Sequence, residues 1–282
     1  MWRNCFETMK LVVTGASGFL GQAVMRNLTH AGADAVGVTR HRLPGLVHVA
    51  NYADVPGGDV LVHLAEASDR QWVEAHADSY ERTALLTLES LLGKGFQRVV
   101  YASSAVLYGD QSEVAHCVGD PVQVVDAYTR LKYTSEQAVL GHFGTVARLV
   151  NLYGPGMATT NVLSTILKQL PLTGPIRVFD ATPVRDFLWI NDAARALSAM
   201  AIGGASGIFN VGTGVGTSIQ QLADTVLIAA GQSVRSVESE PQRDRKPSSL
   251  LVDISQTEAT FGWRPDITLP EGISTLVKMI NH

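Results

Sequence analysis

Near the start of the chain runs Leu11-Val12-Val13-Thr14-Gly15-Ala16-Ser17-Gly18-Phe19-Leu20-Gly21. β-prone apolar residues lead directly into glycines spaced Gly-x-x-Gly-x-x-Gly, and an amphipathic stretch follows. The first glycine permits a tight turn after the strand, the second lets backbone approach a pyrophosphate, and the third lets the next helix pack on the sheet. The helix N-terminus then presents free N–H groups and the positive end of its dipole to phosphate. A glycine triplet alone is a weak signal, but a strand before it and a helix after it are the context a dinucleotide site requires. Gly15, Ser17, Gly18, Phe19, Leu20 and Gly21 are therefore the candidate cofactor loop.

Working outward, short apolar β-rich runs recur at 10–14, 35–39, 59–64, 98–102 and 146–149, separated by helical spacing at 18–31, 71–92 and 127–142. Continuous apolar strands alternating with helices imply a parallel sheet covered on both faces, and right-handed crossovers make it doubly wound. The stretch between 45 and 60 is too short for a full helix, so that crossover is reduced. From 151 the texture becomes rich in Gly, Pro and Thr, with helices expected at 160–170, 191–202, 218–230 and 270–280. The expected class is α/β: a doubly wound parallel sheet at 9–150, then a smaller mixed α/β substrate-binding region at 151–282, partly interleaved with the first.

The chain has 282 residues, 46% hydrophobic and 17% charged, which supports a large core and excludes global disorder. A net charge of −4 argues against a broad nucleic-acid or anionic-lipid surface. No apolar run is long enough to span a membrane. Residues 1–8 lack the apolar core of a signal peptide and read as a leader or an upstream start before Met9. Cys5 and Cys117 show neither a disulfide framework nor metal-ligand spacing, so a reducing cytoplasm is the expectation, with no metal.

The second strand decides which nicotinamide cofactor is read. A carboxylate at its end accepts the adenosine ribose hydroxyls and repels a 2′-phosphate. This strand ends Val38-Thr39-Arg40-His41-Arg42, without an acid, and Asp34 lies at its other end. Arg40 and Arg42 suit a 2′-phosphate, so of NAD and NADP the second is favoured; a solvated basic loop is the alternative.

The strand around Val99 ends in Ser103-Ser104, and Tyr128 and Lys132 lie four apart at the start of a helical stretch, on one face. A phenol is a poor base at neutral pH, but a nearby ammonium favours the phenolate. Tyr128 could then exchange a proton with a substrate hydroxyl or ketone while hydride moves to or from a nicotinamide, with Ser104 bonding the same oxygen. Lys132 could also hold the nicotinamide ribose.

These segments, with Val62-His63-Leu64-Ala65, Ser103-Ser104-Ala105-Val106-Leu107-Tyr108-Gly109, Asn151-Leu152-Tyr153-Gly154-Pro155-Gly156, Arg185-Asp186-Phe187-Leu188-Trp189-Ile190-Asn191-Asp192, Phe209-Asn210-Val211-Gly212-Thr213-Gly214 and Gly262-Trp263-Arg264-Pro265, resemble the extended short-chain dehydrogenases/reductases. Within these, the chain is similar to the NAD-dependent epimerase/dehydratase family that modifies nucleotide sugars, over nearly its whole length. The resemblance implies a Rossmann sheet, catalysis by Ser104, Tyr128 and Lys132, and cofactor contacts at Leu64 and Ala65. It implies substrate contacts at Asn151, Asn161 and Val162, with Arg185, Arg243 and Arg245 as basic candidates; Arg185 reads equally as an ion-pair partner of Asp186. It also implies a homodimer through the helices at 71–92 and 127–142, whose leucines occupy more than one face.

Four departures stand out. The second-strand acid is absent, and Asn51 stands where the family often has an adenine-binding Asp, with Asp54 nearby. Glu66 replaces a small residue beside the cofactor, and Tyr80 replaces an asparagine. His63 is expected to be a packed core histidine. The leading function is an NAD(P)-dependent epimerase acting at a ring carbon, C4 by preference, of a nucleoside-diphosphate sugar. An NADPH-dependent 4-ketoreductase and a weakly catalytic NADP(H) sensor are the alternatives. A 4,6-dehydratase is disfavoured, because the family's Asp-Glu pair for water elimination is here Ala105-Val106.

Overall fold

The computed structural model describes residues 9–240 and 247–280. Its larger sheet is built from β1 (Leu11–Thr14), β2 (Ala35–Thr39), β3 (Val47–His48), β4 (Val60–His63), β5 (Arg98–Ser104) and β6 (Thr145–Leu149). Between them run α1 (Phe19–His30), α2 (Arg70–Ala75), α3 (Ala77–Leu92) and α4 (Ala127–Gly141). The second half contributes β7 (Asn151–Tyr153), α5 (Val162–Leu167), β8 (Ile176–Val178), β9 (Val184–Trp189), α6 (Ile190–Gly203) and β10 (Gly207–Val211). It ends with β11 (Gly216–Ser218), α7 (Ile219–Ala229), β12 (Val237–Ser239), β13 (Ser249–Leu250), α8 (Ser255–Phe261) and α9 (Leu269–Ile280).

Seven parallel strands lie in the order β10-β6-β5-β4-β1-β2-β3. Because β1 sits between β2 and β4, the order reverses there, and a crevice opens at the carboxyl ends of the strands, where α/β sheets bind ligands. Alternate residues of β1 serve opposite layers: Leu11 and Val13 pack with Val24, Leu28 and Leu197 of α1 and α6, while Val12 packs with Leu88, Leu91 and Val139 of α3 and α4. That two-sided burial is why the strands read as unbroken apolar runs. The smaller sheet places β9 between antiparallel β11 and parallel β13, with β7 also pairing to β9; β8 and β12 form a separate pair. No helix among the described residues is long and apolar enough to cross a membrane.

The structure differs from the sequence reading, or adds detail to the interleaving it expected, in three places. The helix expected over 71–92 is two helices broken at His76, whose ring Nδ1 bonds the Trp72 carbonyl at 2.8 Å and whose ring stacks on Trp72. β10, from the second half, returns to extend the large sheet beside β6, and α6 packs on α1. The apolar faces of α3 and α4 are mostly consumed within the chain: Leu88, Leu91, Leu92 and Val139 are buried, while Leu86 is exposed.

A buried ion pair ties α4 to the sheet. Arg148 on β6 donates to both oxygens of Glu136 at 3.0 and 2.7 Å, Ser103 on β5 donates to the same carboxylate, and the guanidinium stacks on Tyr108. Both charged side chains are at most 3% exposed. Removing one partner leaves a buried charge uncompensated, which typically costs about 3–5 kcal/mol. Glu136→Gln should lower unfolding stability by about that amount in urea titrations; a loss below about 1 kcal/mol would show that the pair does not hold α4 in place.

Candidate active site

The crevice begins at the turn after β1. Gly15 takes φ +69°, and a Cβ there would lie 2.7 Å from the Leu64 carbonyl oxygen and 3.0 Å from the Ala65 Cα. A Cβ at Gly21 would lie 2.1 Å from the Gly15 oxygen. Only bare backbone lets β1, the β4 end and α1 meet this closely. Gly18 is the N-cap of α1, no side chain caps it, and the first turn holds no acid. Its N–H groups and dipole remain available to an anion, which fits a dinucleotide pyrophosphate.

At the end of β2, Thr39 is fully buried, its hydroxyl 2.8 Å from that of Ser17 and accepting from the His41 N–H at 3.2 Å. A threonine hydroxyl thus stands where an acid would meet ribose. Arg40 and Arg42 are exposed, and the Arg40 guanidinium lies 5.6 Å from the Tyr52 ring centre. Asn51, also exposed, uses its Oδ1 to accept from Ala53 and cap the turn over 52–54.

The candidate catalytic residues lie across the crevice. Ser104 ends β5, its hydroxyl accepting from the Val106 N–H at 3.3 Å. Tyr128 opens α4 behind a capping box of Asp126 and Thr129. Lys132 follows on the same face, its Nζ 5.9 Å from the Tyr128 ring centre and 4.9 Å from that of Tyr101. Nζ donates to the Ala102 carbonyl at 2.9 Å and to Glu66 Oε2 at 3.1 Å. Glu66 also accepts from the Tyr101 hydroxyl at 2.6 Å and the Ser135 hydroxyl at 3.0 Å. The Lys132 and Glu66 side chains are 6% and 4% exposed. Burial disfavours both charges, and their mutual attraction overrides it: Glu66 is held below the usual carboxylate range and Lys132 above the usual ammonium range. Burial and the Glu66 charge together push the Tyr101 phenol well up.

One cleft of about 470 Å³ brings these elements together. Gly15, Gly18, Phe19, Leu20 and Gly21 line one side, Leu64, Glu66, Ser104, Tyr128 and Lys132 the middle, and Asn151 and Asn161 the far wall. A larger cavity of about 630 Å³, between Phe187, Ile228 and Leu269, holds no such set of acid–base groups. Chemistry therefore assigns the smaller one.

Some expected substrate residues are placed otherwise. Asn151 donates to the Asp186 carbonyl at 3.3 Å, and Asn161 caps α5 through the Ser164 N–H; both still face the cleft. Val162 is outside the cleft wall and packs against the second core cluster. Arg185 does not pair with Asp186. It donates to the Ser248 hydroxyl at 2.7 Å and to Asp110 at 3.3 Å, outside the cleft wall, because alternate residues of β9 point to opposite sides of the sheet. Asp186 instead accepts from Thr213 and Gly214, holding their loop. Arg243 and Arg245 lie outside the described residues. Arg70, which the sequence reading passed over, lines the cleft paired with Asp126; a cation between Glu66 and the Tyr128 helix was the available signal.

A sequence model of the NAD-dependent epimerase/dehydratase family matches residues 11–212. The chain belongs to this family. Its members are NAD-dependent enzymes of the short-chain dehydrogenase/reductase type. Among its relatives are a UDP-glucose 4-epimerase of Corynebacterium glutamicum, 25% identical over 92% of each chain. A dTDP-glucose 4,6-dehydratase of Streptomyces griseus is 26% identical over 96% of this chain and 93% of its own. A Thermotoga maritima UDP-glucose 4-epimerase solved with UDP-glucose superposes with a TM-score of 0.84 at 22% identity, covering 97% of this chain and 99% of its own. At that identity the superposition shows the shared fold.

His63, beside the site on β4, is a packed core residue: its Nδ1 lies 2.8 Å from the Thr14 hydroxyl, and burial lowers its pKa to about 4. The unfolded chain therefore binds a proton between pH 6.5 and 4 that the folded chain refuses, so stability falls as pH falls through that window, by about 3 kcal/mol in all. His63→Asn should flatten this dependence in urea titrations across pH 4–7; an unchanged slope would place the titration elsewhere.

Proposed function

We propose that this chain is an NAD(P)-dependent nucleotide-sugar epimerase acting at C4 of a nucleoside-diphosphate sugar. The observation that carries the reading is the convergence of Ser104, Tyr128 and Lys132 with the glycine loop on one side of the cleft and the Asn151 and Asn161 amides on the other. A nicotinamide bound along the loop supplies the acceptor and later the donor of hydride. The chain's own residues move the proton and hold the sugar. Tyr128 takes the proton of the C4 hydroxyl and returns it once the ring presents its other face; Ser104 donates to the same oxygen and fixes its position. The wall amides and the exposed polar surface beside them suit the diphosphate.

Ala105 is fully buried and Val106 lines the cleft where elimination of water would need an acid–base pair, which supports epimerisation over dehydration. The same reading includes a homodimer through α3 and α4, whose outward faces carry the exposed Leu86 and Tyr133. It also includes Arg243 and Arg245 as candidate contacts to the diphosphate, and cytoplasmic residence.

Tyr128→Phe keeps the ring and removes the transferable proton. Interconversion of C4 epimers, measured over a panel of UDP-, dTDP- and GDP-sugars, should fall by a factor on the order of 10² to 10⁴ with cofactor affinity little changed. Near-normal turnover would reject the assignment, and net consumption of NADPH with each turnover would convert it to a ketoreductase.

The acid-free end of β2 supports NADP(H) over NAD(H). If Arg40 or Arg42 grips the 2′-phosphate, NADP(H) should bind tighter by roughly one to two decades, and Arg40→Ala with Arg42→Ala should erase the difference. Fluorescence titration with both reduced cofactors measures it; equal or tighter NADH binding by the unaltered chain would make the basic loop solvated surface.

A further inference from the structure

Among the described residues two cationic side chains line the cleft, Lys132 and Arg70. Lys132 is buried and engaged by Glu66. Arg70 is 49% exposed; its Nε donates to Asp126, and neither of its Nη groups bonds to a described residue. A guanidinium carries five N–H donors in one rigid plane, so four of them remain for a ligand. The side chain is held from both ends. The Ala67 N–H donates to the Tyr80 hydroxyl, and Asp69 caps α2 through the Trp72 N–H, which fixes the backbone on either side of residue 68. Asp126, itself fixed by the capping box of α4, orients the head. One edge of the plane is thus set by the protein, and the rest is oriented in advance of binding.

The chemistry of the sugar says what that free edge fits. Arg70 is anchored through Asp126 to the start of α4, two residues before Tyr128. In a hexopyranose whose C4 oxygen meets Tyr128, C1 and its diphosphate lie across the ring, while C6 branches from C5, the carbon beside C4. A cation at the Tyr128 end therefore belongs to the C6 side, and the diphosphate to the Asn151 and Asn161 side. A neutral hexose has only a hydroxyl at C6, for which a serine or an amide suffices; a guanidinium fork matches a planar carboxylate. We propose that Arg70 is a substrate-binding residue that grips a carboxylate at C6, so that the substrate is a nucleoside-diphosphate hexuronic acid. This rests on the reading of the cleft as a C4 epimerase site.

The acids around this place are already engaged. Asp126 accepts from the Thr129 N–H and hydroxyl as well as from Arg70. Asp110, whose carboxyl the Arg70 charge helps to hold below the usual range, is bound by Arg185 and the Ser248 hydroxyl. Glu66 is matched by Lys132, and Glu74 accepts from the Ala127 N–H. A substrate carboxylate entering the cleft thus finds Arg70 as the cation that still has donors to give.

Calorimetric titration of the cofactor-loaded chain tests the proposal, carried out in a Tyr128→Phe background so that turnover does not disturb binding. The probes are UDP, UDP-glucose and UDP-glucuronate, with the corresponding nucleotide, hexose and hexuronate series in dTDP and GDP, so that no base is presumed. Within the series that binds, the hexuronate should bind about tenfold tighter than the hexose. Arg70→Gln should abolish that difference while leaving the free nucleotide and the hexose little changed, and Arg70→Lys, which keeps the charge and loses the fork, should keep only part of it. Asp126→Asn retains an oxygen to cap α4 and should keep the preference in full. Equal binding of hexose and hexuronate overturns the proposal and leaves the nucleotide-sugar reading standing. Arg70→Gln weakening the free nucleotide as much as the hexuronate overturns it too, since Arg70 is then a diphosphate contact. Loss of the preference in Asp126→Asn overturns it by showing that Arg70 serves only the helix cap, and failure of every nucleotide sugar to bind overturns it together with the reading beneath it.

Discussion

The tightest constraint in this molecule is the meeting of three backbones at the end of β1. With 2.1 Å between a hypothetical Gly21 Cβ and the Gly15 oxygen, and 2.7 Å between a Gly15 Cβ and the Leu64 oxygen, no side chain can occupy either position. That contact sets where α1 starts, how close β4 ends to it, and where the bare N–H groups point. The crevice at the reversal of strand order follows from it, since the same turn forms its floor.

The second requirement is that α4 stay fixed while it carries Tyr128 and Lys132. Apolar packing supplies part of this through Leu131 and Val139. Polar contacts give the direction: Arg148, Ser103 and Glu136 lock the helix to β5 and β6, and the Asp126–Thr129 box locks its first turn. Tyr108 stacks on the same guanidinium and donates to Asn210, which in turn holds the carbonyls of His116 and Asp253. One buried network thus connects the helix that carries Tyr128 and Lys132 to the return of the second half into the large sheet, and the cleft inherits its rigidity from residues behind it.

Against this scaffold, the local charge pattern of the cleft is particular to the chain. The family motifs around Ser104, Tyr128 and Lys132 are intact, yet the lysine is already paired. The end of β2 offers hydroxyls and exposed arginines in place of a carboxylate. The same backbone frame can therefore carry different charge patterns through two or three side chains, and one fold can serve several related chemistries.

How much of this was legible in the chain alone depends on the distance over which each feature is encoded. Glycine spacing, unbroken apolar runs and the Tyr128–Lys132 offset are local, and they determined the parallel sheet, the cofactor turn and the shared face of α4, because strand and helix periods act over a few residues. Glu66 was visible as an acid in a small residue's place, but its partner lies 66 positions away and only the packing of α4 on β5 brings the two together. Arg185 and Asp186 are adjacent in sequence and looked paired, yet strand geometry sends them to Ser248 and Thr213 on different sides. The break at His76 and the return of β10 were equally hidden, one resting on a side-chain bond to a carbonyl and the other on a pairing 62 residues apart. Periodicity specifies which way a residue faces; which charge it meets is decided only when distant elements close around it.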